Sequence, residues 1–302
     1  MWRAFHCPRQ IFFYKGDVAA QPISYQASYV MIRKPRKDER QARILEALRH
    51  TPHIRIALLA ERFKVTTETI RRDLDSLSRR GLVNRAHGGV VAQPMGVQPS
   101  IFEREQSTVD ERSRIATLAA SLVSGGQVLM MDAGSTTTQL AWQLARGTET
   151  LTVITNSYPV ASALTPSPCT TIVCPGEFNG HEGGVFGQDT TEFLGRFHAN
   201  IAFIGASGLG AGGVMDVNRQ AAWVKRAMIE RCEHIYLLVD HTKFDLHVLE
   251  VVAPLDALSA VITDRAPPDP LAHALREAGV ACYIAANTGT PDGVLHHTQE
   301  KK

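Results

Sequence analysis

Two domains of different architecture are predicted: a small helical unit closed by a β-hairpin, and a larger α/β unit on a mostly parallel sheet. Three observations carry this. Residues 66–89, TTETIRRDLDSLSRRGLVNRAHGG, join a helix cap, an amphipathic helix and a basic hairpin in one short stretch. Beyond about residue 110, apolar strand-like runs alternate with helical patterns, as in sheets buried on both faces. Charge also divides: residues 31–92 hold fifteen Lys/Arg against seven Asp/Glu, and residues 93–302 fourteen against twenty-two. The net charge of +2 hides a basic head on an acidic body, the pattern of a polyanion-binding module joined to a body that stays off the polyanion. A chain of 302 residues accommodates both units, and 44% apolar with 21% charged residues argues against wholesale disorder.

Residues 1–30 are aromatic-rich around IFFYKG, without periodicity, a cap or a signal-peptide core of the ~7 to 15 apolar residues required. Residues 1–35 are expected to be a disordered leader, with Met31, ahead of the basic run RKPRK, as the native start. In the head, 36–92, Ile44, Leu45 and Leu48 stripe a first helix that ends at Thr51-Pro52. Residues 56–63, IALLAERF, make a second, and Lys64-Val65 a tight turn. Thr66 is placed to cap a third helix whose Ile70, Leu74 and Leu77 recur at i, i+4 and i+7. Gly81 stops it, and Gly88-Gly89 reverses a hairpin carrying Arg85 and His87. Three short helices, a tight turn before the third and a hairpin make the winged helix-turn-helix plan. Thr66, Thr67, Glu68, Thr69, Arg71 and Arg72 are left facing outward to meet double-stranded DNA, with Arg85, His87 and Gly88 on the wing. Thr67, Glu68 and Arg71 are expected on base edges, and Arg72, Arg85 and His87 mainly on phosphates.

Residues 93–110, with Pro94, Gly96 and Pro99, read as a linker, and 111–287 as the α/β domain, with a flexible tail at 288–302. Ligands of open parallel sheets bind outside the carboxyl ends of the strands. There the sequence places Asp132-Ala-Gly-Ser-Thr-Thr, Thr155-Asn156-Ser157, Pro175-Gly176-Glu177, Gly205-Ala-Ser-Gly and Asp240-His-Thr-Lys243. Gly134, Ser135, Thr136 and Thr137 open a helix whose N-terminal amides suit an anion, and Lys243 adds a charge. Five such turns together favour a pocket for a small phosphorylated or polyhydroxy ligand. Taken singly, each serves equally as a helix cap.

Several other chemistries fit poorly. Gly208–Gly213 matches G-x-G-x-x-G, but no helix opens within it and no acidic residue ends the next strand at the required distance, so a flexible glycine loop is expected. Asp240-His241 with Ser135 or Ser157 supplies hydrolase residue types without a G-x-S-x-G elbow. Cys7, Cys169, Cys174, Cys232 and Cys282 are odd in number and include no C-x-x-C pair, which points to buried thiols, not a disulfide framework or a metal site. Trp142, Tyr158 and Trp223 read as core or interface aromatics. No apolar run approaches the ~18 to 20 residues of a membrane span, so a soluble, cytoplasmic chain without membrane, metal or cofactor is expected.

These residues resemble the DeoR-type transcriptional regulators of bacteria, from about Arg40 to Ile284. In the head the resemblance rests on Thr69-Ile70-Arg71-Arg72-Asp73-Leu74 with Arg85, His87, Gly88 and Gly89. In the body it rests on Asp132–Thr137, Thr155-Asn156, Gly205 with Ser207-Gly208, Lys225-Arg226 and Asp240–Phe244. The resemblance implies a homo-oligomeric repressor of a sugar-use operon, released by a phosphorylated sugar or polyol, with a sensor domain similar to ribose-5-phosphate isomerase that binds its ligand without turning it over. It implies an effector site at Asp132, Gly134, Ser135, Thr136, Thr137, Asn156, Gly176, Gly205, Ser207, Gly208, Lys225, Asp240 and Lys243. Thr190–Phe197 and Val239–Phe244 look closest to the branch that answers to glycerol 3-phosphate. Pro175 replaces the first of two glycines usual in the family and Gln220 a common glutamate, which bears on which effector is held. Arg55 occupies a capping position often held by serine, and Leu58 a commonly charged position that leaves it exposed. An activator with the same parts is the alternative within this class. A sugar-phosphate isomerase or transferase tethered to DNA is the alternative outside it, with Asp132 and Asp240 as candidate bases.

Overall fold

The structure is a computed structural model, and it describes residues 36–51, 53–79, 83–86, 89–92 and 98–285. The expected leader 1–35, the tail 288–302 and the wing residues His87 and Gly88 lie outside the described residues.

In the head, α1 (Lys37–His50), α2 (Ile56–Phe63) and α3 (Thr67–Arg79) follow the predicted stripes. Ile44, Leu48, Leu59, Phe63, Ile70, Leu74 and Leu77 form one buried cluster. The α2–α3 turn is made by Lys64 in the left-handed region, φ 53°. Thr66 caps α3 by accepting the Thr69 amide at 3.2 Å. Arg55 precedes α2 without a side-chain cap, and Leu58 is exposed. One element is unforeseen: β1 (His53–Arg55) pairs antiparallel with β3 (Gly89–Ala92), which also pairs with β2 (Val83–Ala86), so the hairpin becomes a three-stranded sheet.

The expected linker is corrected over its second half. Ser100 forms a reciprocal capping box with Glu103 at the start of α4 (Ile101–Glu105), and α5 (Val109–Ala120) follows. The body then runs through β4 (Val128–Met131), α6 (Ser135–Leu144), β5 (Thr152–Thr155), α7 (Tyr158–Ala163) and β6 (Thr170–Val173). A hairpin, β7 (Glu177–Asn179) and β8 (Gly184–Phe186), leads to α8 (Gln188–Leu194) and β9 (Ala199–Ile204). Then come β10 (Gly208–Gly210), β11 (Gly213–Asp216), α9 (Arg219–Ile229), β12 (Cys232–Leu238) and β13 (Glu250–Ala253). The described chain ends with β14 (Ala260–Thr263), α10 (Asp269–Glu277) and β15 (Ala281–Ile284).

Seven strands pair in parallel in the order β15-β14-β12-β9-β4-β5-β6. Successive strand residues point to opposite faces, which splits the core. Met130, Ala202 and Leu237 join Val224 and Met228 of α9, while Leu129, Met131 and Phe203 join Ile115 of α5 and Leu140 of α6. The sheet grows from β4 toward β6, then resumes with β9 on the other side of β4. That reversal puts the switch point between β4 and β9, where the strand ends leave a crevice.

The expected flexible loop at Gly208–Gly213 is corrected. It is the buried β10–β11 hairpin, which joins β13 in a second sheet. A Cβ on Gly208 would lie 2.2 Å from the Leu246 carbonyl oxygen, so the glycine serves close packing there. Cys174 and Cys232 have thiol pKa values pushed up to about 12, and Cys282 to about 11, by burial, which keeps them inert at neutral pH. No group of metal-binding residues occurs among the described residues, nor a helix long and apolar enough to cross a membrane.

Candidate functional sites

The outer face of α3 is the first site. Ile70, Leu74 and Leu77 are fully buried, while Thr66, Thr67, Glu68, Arg71 and Arg72 are exposed and Thr69 partly so. Glu68 lies 3.4 Å from Arg72 and 3.8 Å from Arg71. Exposed pairs of this kind contribute at most about 1 kcal/mol, so either arginine can leave Glu68 for a phosphate or a base edge. The backbone of Arg85 lies in β2, two positions before His87.

The second site fills the switch-point crevice. Asp132 follows β4; its Oδ2 accepts the Gly205 amide at 3.1 Å from the loop after β9, and meets Lys225 Nζ of α9 at 3.0 Å. Lys225 also meets Asp216 at 2.9 Å, at the end of β11. Burial works to lower the Lys225 pKa, but Asp216 and Asp132 outweigh it and raise the value. Asp132 Oδ1, buried at the cavity wall, has no hydrogen-bond partner.

Across the cavity, Asp240 follows β12 and accepts the Thr242 amide at 2.9 Å, with Arg112 of α5 at 3.5 Å. Burial raises the Asp240 pKa, yet Lys243, Arg112 and Thr242 lower it further, so the group stays ionised. Burial lowers the Lys243 pKa, with Asp240 opposing and Arg112 and Arg104 adding to the fall. A cation held below its usual range by desolvation and like charges gains from an incoming anion. On the same cavity, α6 begins at Gly134 with no side-chain cap, its first turn at Ser135 and Thr136 in the lining.

Of the expected effector residues, the structure brings Asp132, Gly134, Ser135, Thr136, Gly205, Ser207, Lys225, Asp240 and Lys243 around one cavity. Four others do not line it. Thr137 turns its hydroxyl back to the carbonyls of Asp132 and Gly134, as helix-opening threonines do. Asn156 donates to the Val185 carbonyl, tying β5 to the β7–β8 hairpin. Gly176, at φ 143°, leaves room for Thr190, which donates to Pro175 O at 2.7 Å. Gly208 serves packing. Sequence reasoning missed Gln98, Arg104, Arg112, Glu182 and Asp216, which complete the wall. Arg112, buried within α5, was the one signal available, a charge on an otherwise apolar face.

The cavity is about 30 Å³, room for about two waters. Next to it an open cleft of about 390 Å³ is lined by Asn179, His181, Val217, Asn218 and Arg219, with Gln98 and Glu182 common to both.

Comparison with known proteins bears on both sites. Residues 40–94 match the DeoR-like helix-turn-helix domain, and residues 107–265 the DeoR C terminal sensor domain. The chain is 30% identical over 235 residues to the glycerol-3-phosphate regulon repressor of Escherichia coli (strain K12), covering 77% of this chain and 93% of that protein. It is 32% identical over 216 residues to the L-fucose operon activator of Haemophilus influenzae, covering 70% of this chain and 86% of that one. Among solved structures, ribose 5-phosphate isomerase A from Methanocaldococcus jannaschii aligns at TM-score 0.34 and 18% identity, over 46% of this chain and 55% of that chain.

Proposed function

The chain belongs to the DeoR family of DNA-binding transcriptional regulators, and from that premise we propose that it represses a carbohydrate-use operon in the cytoplasm until a phosphorylated sugar or polyol enters the body. The observation that carries the effector class is the mixture of charges around the switch-point cavity. Lys243, Arg112 and the uncapped start of α6 line it and suit a phosphate. Asp132 and Asp216, held by Lys225, line it as well and offer acceptors for hydroxyl groups. Both carboxylates are engaged with that lysine, which favours binding over proton abstraction. Phosphorylated compounds such as glycerol 3-phosphate and ribose 5-phosphate are expected to raise the melting temperature of the full chain where the free polyols do not. At 100 times its Kd a ligand adds about 2.7 kcal/mol. No shift across a panel of phosphorylated sugars and polyols would remove the effector reading, and turnover of any member would revive the enzyme alternative.

In the head, the DNA face is Thr66, Thr67, Glu68, Thr69, Arg71 and Arg72 with Arg85, His87 and Gly88. Arg71→Ala is expected to relax base preference at one position by about 1–3 kcal/mol, while Arg72→Ala weakens all duplexes alike and flattens the salt dependence. Footprints and salt titrations unchanged by both substitutions would sink that assignment. One head reads a short site, so two heads on half-sites are required for tight binding. Exposed Trp223, Leu249 and Val251 offer apolar surface for that homo-oligomer.

A further inference from the structure

At about 30 Å³ the cavity holds no sugar phosphate as it stands, and one group of its wall, Gln98, comes from the stretch between head and body. Gln98 Nε2 donates to Glu182 at 2.9 and 3.1 Å, while Ser207 Oγ lies 2.9 Å from Gln98 Oε1. The backbone beside it is fastened to the β7–β8 turn: His181 Nε2 meets the Gln98 carbonyl at 3.0 Å, and the Ile101 amide donates to His181 O at 2.7 Å. Gln98 and Glu182 line both the inner cavity and the open cleft.

The carboxamide does two things in that position: it accepts from a hydroxyl and donates to a carboxylate. A ligand hydroxyl does both as well. A phosphate dianion has no proton to give to Glu182, whose charge is already met by Arg104 Nη2 at 2.7 Å. The position is therefore a hydroxyl subsite occupied by a side chain of the protein itself. Gln98 follows Ala92, the last residue of β3, by only six positions, so a change at Gln98 is passed along a short covalent tether toward the DNA-binding head.

We propose that Gln98 is a plug: a phosphorylated polyol seats only by expelling its carboxamide from between Ser207 and Glu182, which makes ligand occupancy and release of the segment behind the wing one equilibrium. This rests on the cavity being the effector site, and it adds the route by which binding reaches the head. Coupling of this kind is reciprocal, so DNA that favours the plugged state weakens the ligand by the same factor.

The test uses the full chain, a duplex selected by it from a random pool, and glycerol 3-phosphate and ribose 5-phosphate as probes. In Gln98→Ala, the better probe is expected to bind about tenfold tighter, since it no longer competes with the amide's hydrogen bonds. The change in duplex affinity on adding probe is expected to shrink to less than about threefold in the variant. Gln98→Glu, which sets a carboxylate against Glu182, is expected to hold the segment out and mimic the probe-bound wild type without probe, and it serves if the alanine variant does not fold. Probe affinity and duplex release equal to wild type in both variants would overturn the plug while leaving the effector site standing. Absence of any thermal shift with these probes, or with the wider panel, in wild type and variants alike would overturn both.

Discussion

Asp73→Ala weakens DNA binding strongly while leaving the body able to respond to ligand; this is the expected result of removing one buried carboxylate from the head. Asp73 sits in α3, nearly inaccessible, between the stripe residues Ile70, Leu74 and Leu77 and the outer face. Arg40 of α1 reaches it through Nε at 2.5 Å and Nη2 at 3.2 Å, and Gln41 adds its amide at 3.4 Å. The pair therefore sets the angle between α1 and α3, and hence how α3 is presented. Breaking a buried ion pair from one side costs about 3–5 kcal/mol, a large share of what a head of this size can hold in reserve. Whatever part of that loss tilts or loosens α3 is passed on to binding, and duplex affinity is expected to fall by more than about tenfold, the equivalent of 1.4 kcal/mol. Asp73→Asn keeps the shape and an acceptor for Gln41 and is expected to fall between the two. A duplex affinity within threefold of wild type for the alanine variant would show that the remaining apolar cluster holds α3 unaided.

The head was legible because its core is local. Ile70, Leu74 and Leu77 announce a buried stripe, and Thr66 announces its cap, within one helix. β1 was not legible: three residues carry no period, and their partner β3 lies beyond two intervening helices. In the body, the turns after β4, β9 and β12 were legible because parallel strands of this apolarity must end at one edge. Which side chains then enter the cavity was only partly so. Thr137 and Asn156 have the right chemistry at the right edge, but the Thr137 hydroxyl and the Asn156 amide nitrogen donate to neighbouring backbone carbonyls and neither residue lines the cavity. Gln98, Arg104 and Glu182 escaped because they come from a stretch that reads as linker and from a hairpin turn, neither of which is a strand end. The match of head and body to their two family domains leaves residues 95–106 between them, and that gap is where Gln98 and Arg104 lie.

Lys225 illustrates the same limit and carries the larger prediction for the body. Its charge suggests a phosphate ligand, but its ammonium is held by Asp132 and Asp216 at 3.0 and 2.9 Å in a nearly closed setting. It acts on the effector by positioning those carboxylates. Lys225→Met keeps most of the volume and removes the cation, which leaves two buried carboxylates with only the Gly205 amide, the Asn218 amide and Ser207 to stabilise their charge. The cost at neutral pH is about 3–5 kcal/mol, or roughly 10 °C in melting temperature for a body of this size. A double variant separates this cause from a packing defect. Lys225→Met/Asp216→Asn removes one of the two uncompensated charges, so at neutral pH it is expected to melt several degrees above Lys225→Met. A double variant that melts at or below Lys225→Met would assign the loss to packing and leave Lys225 itself as a group free to meet the ligand.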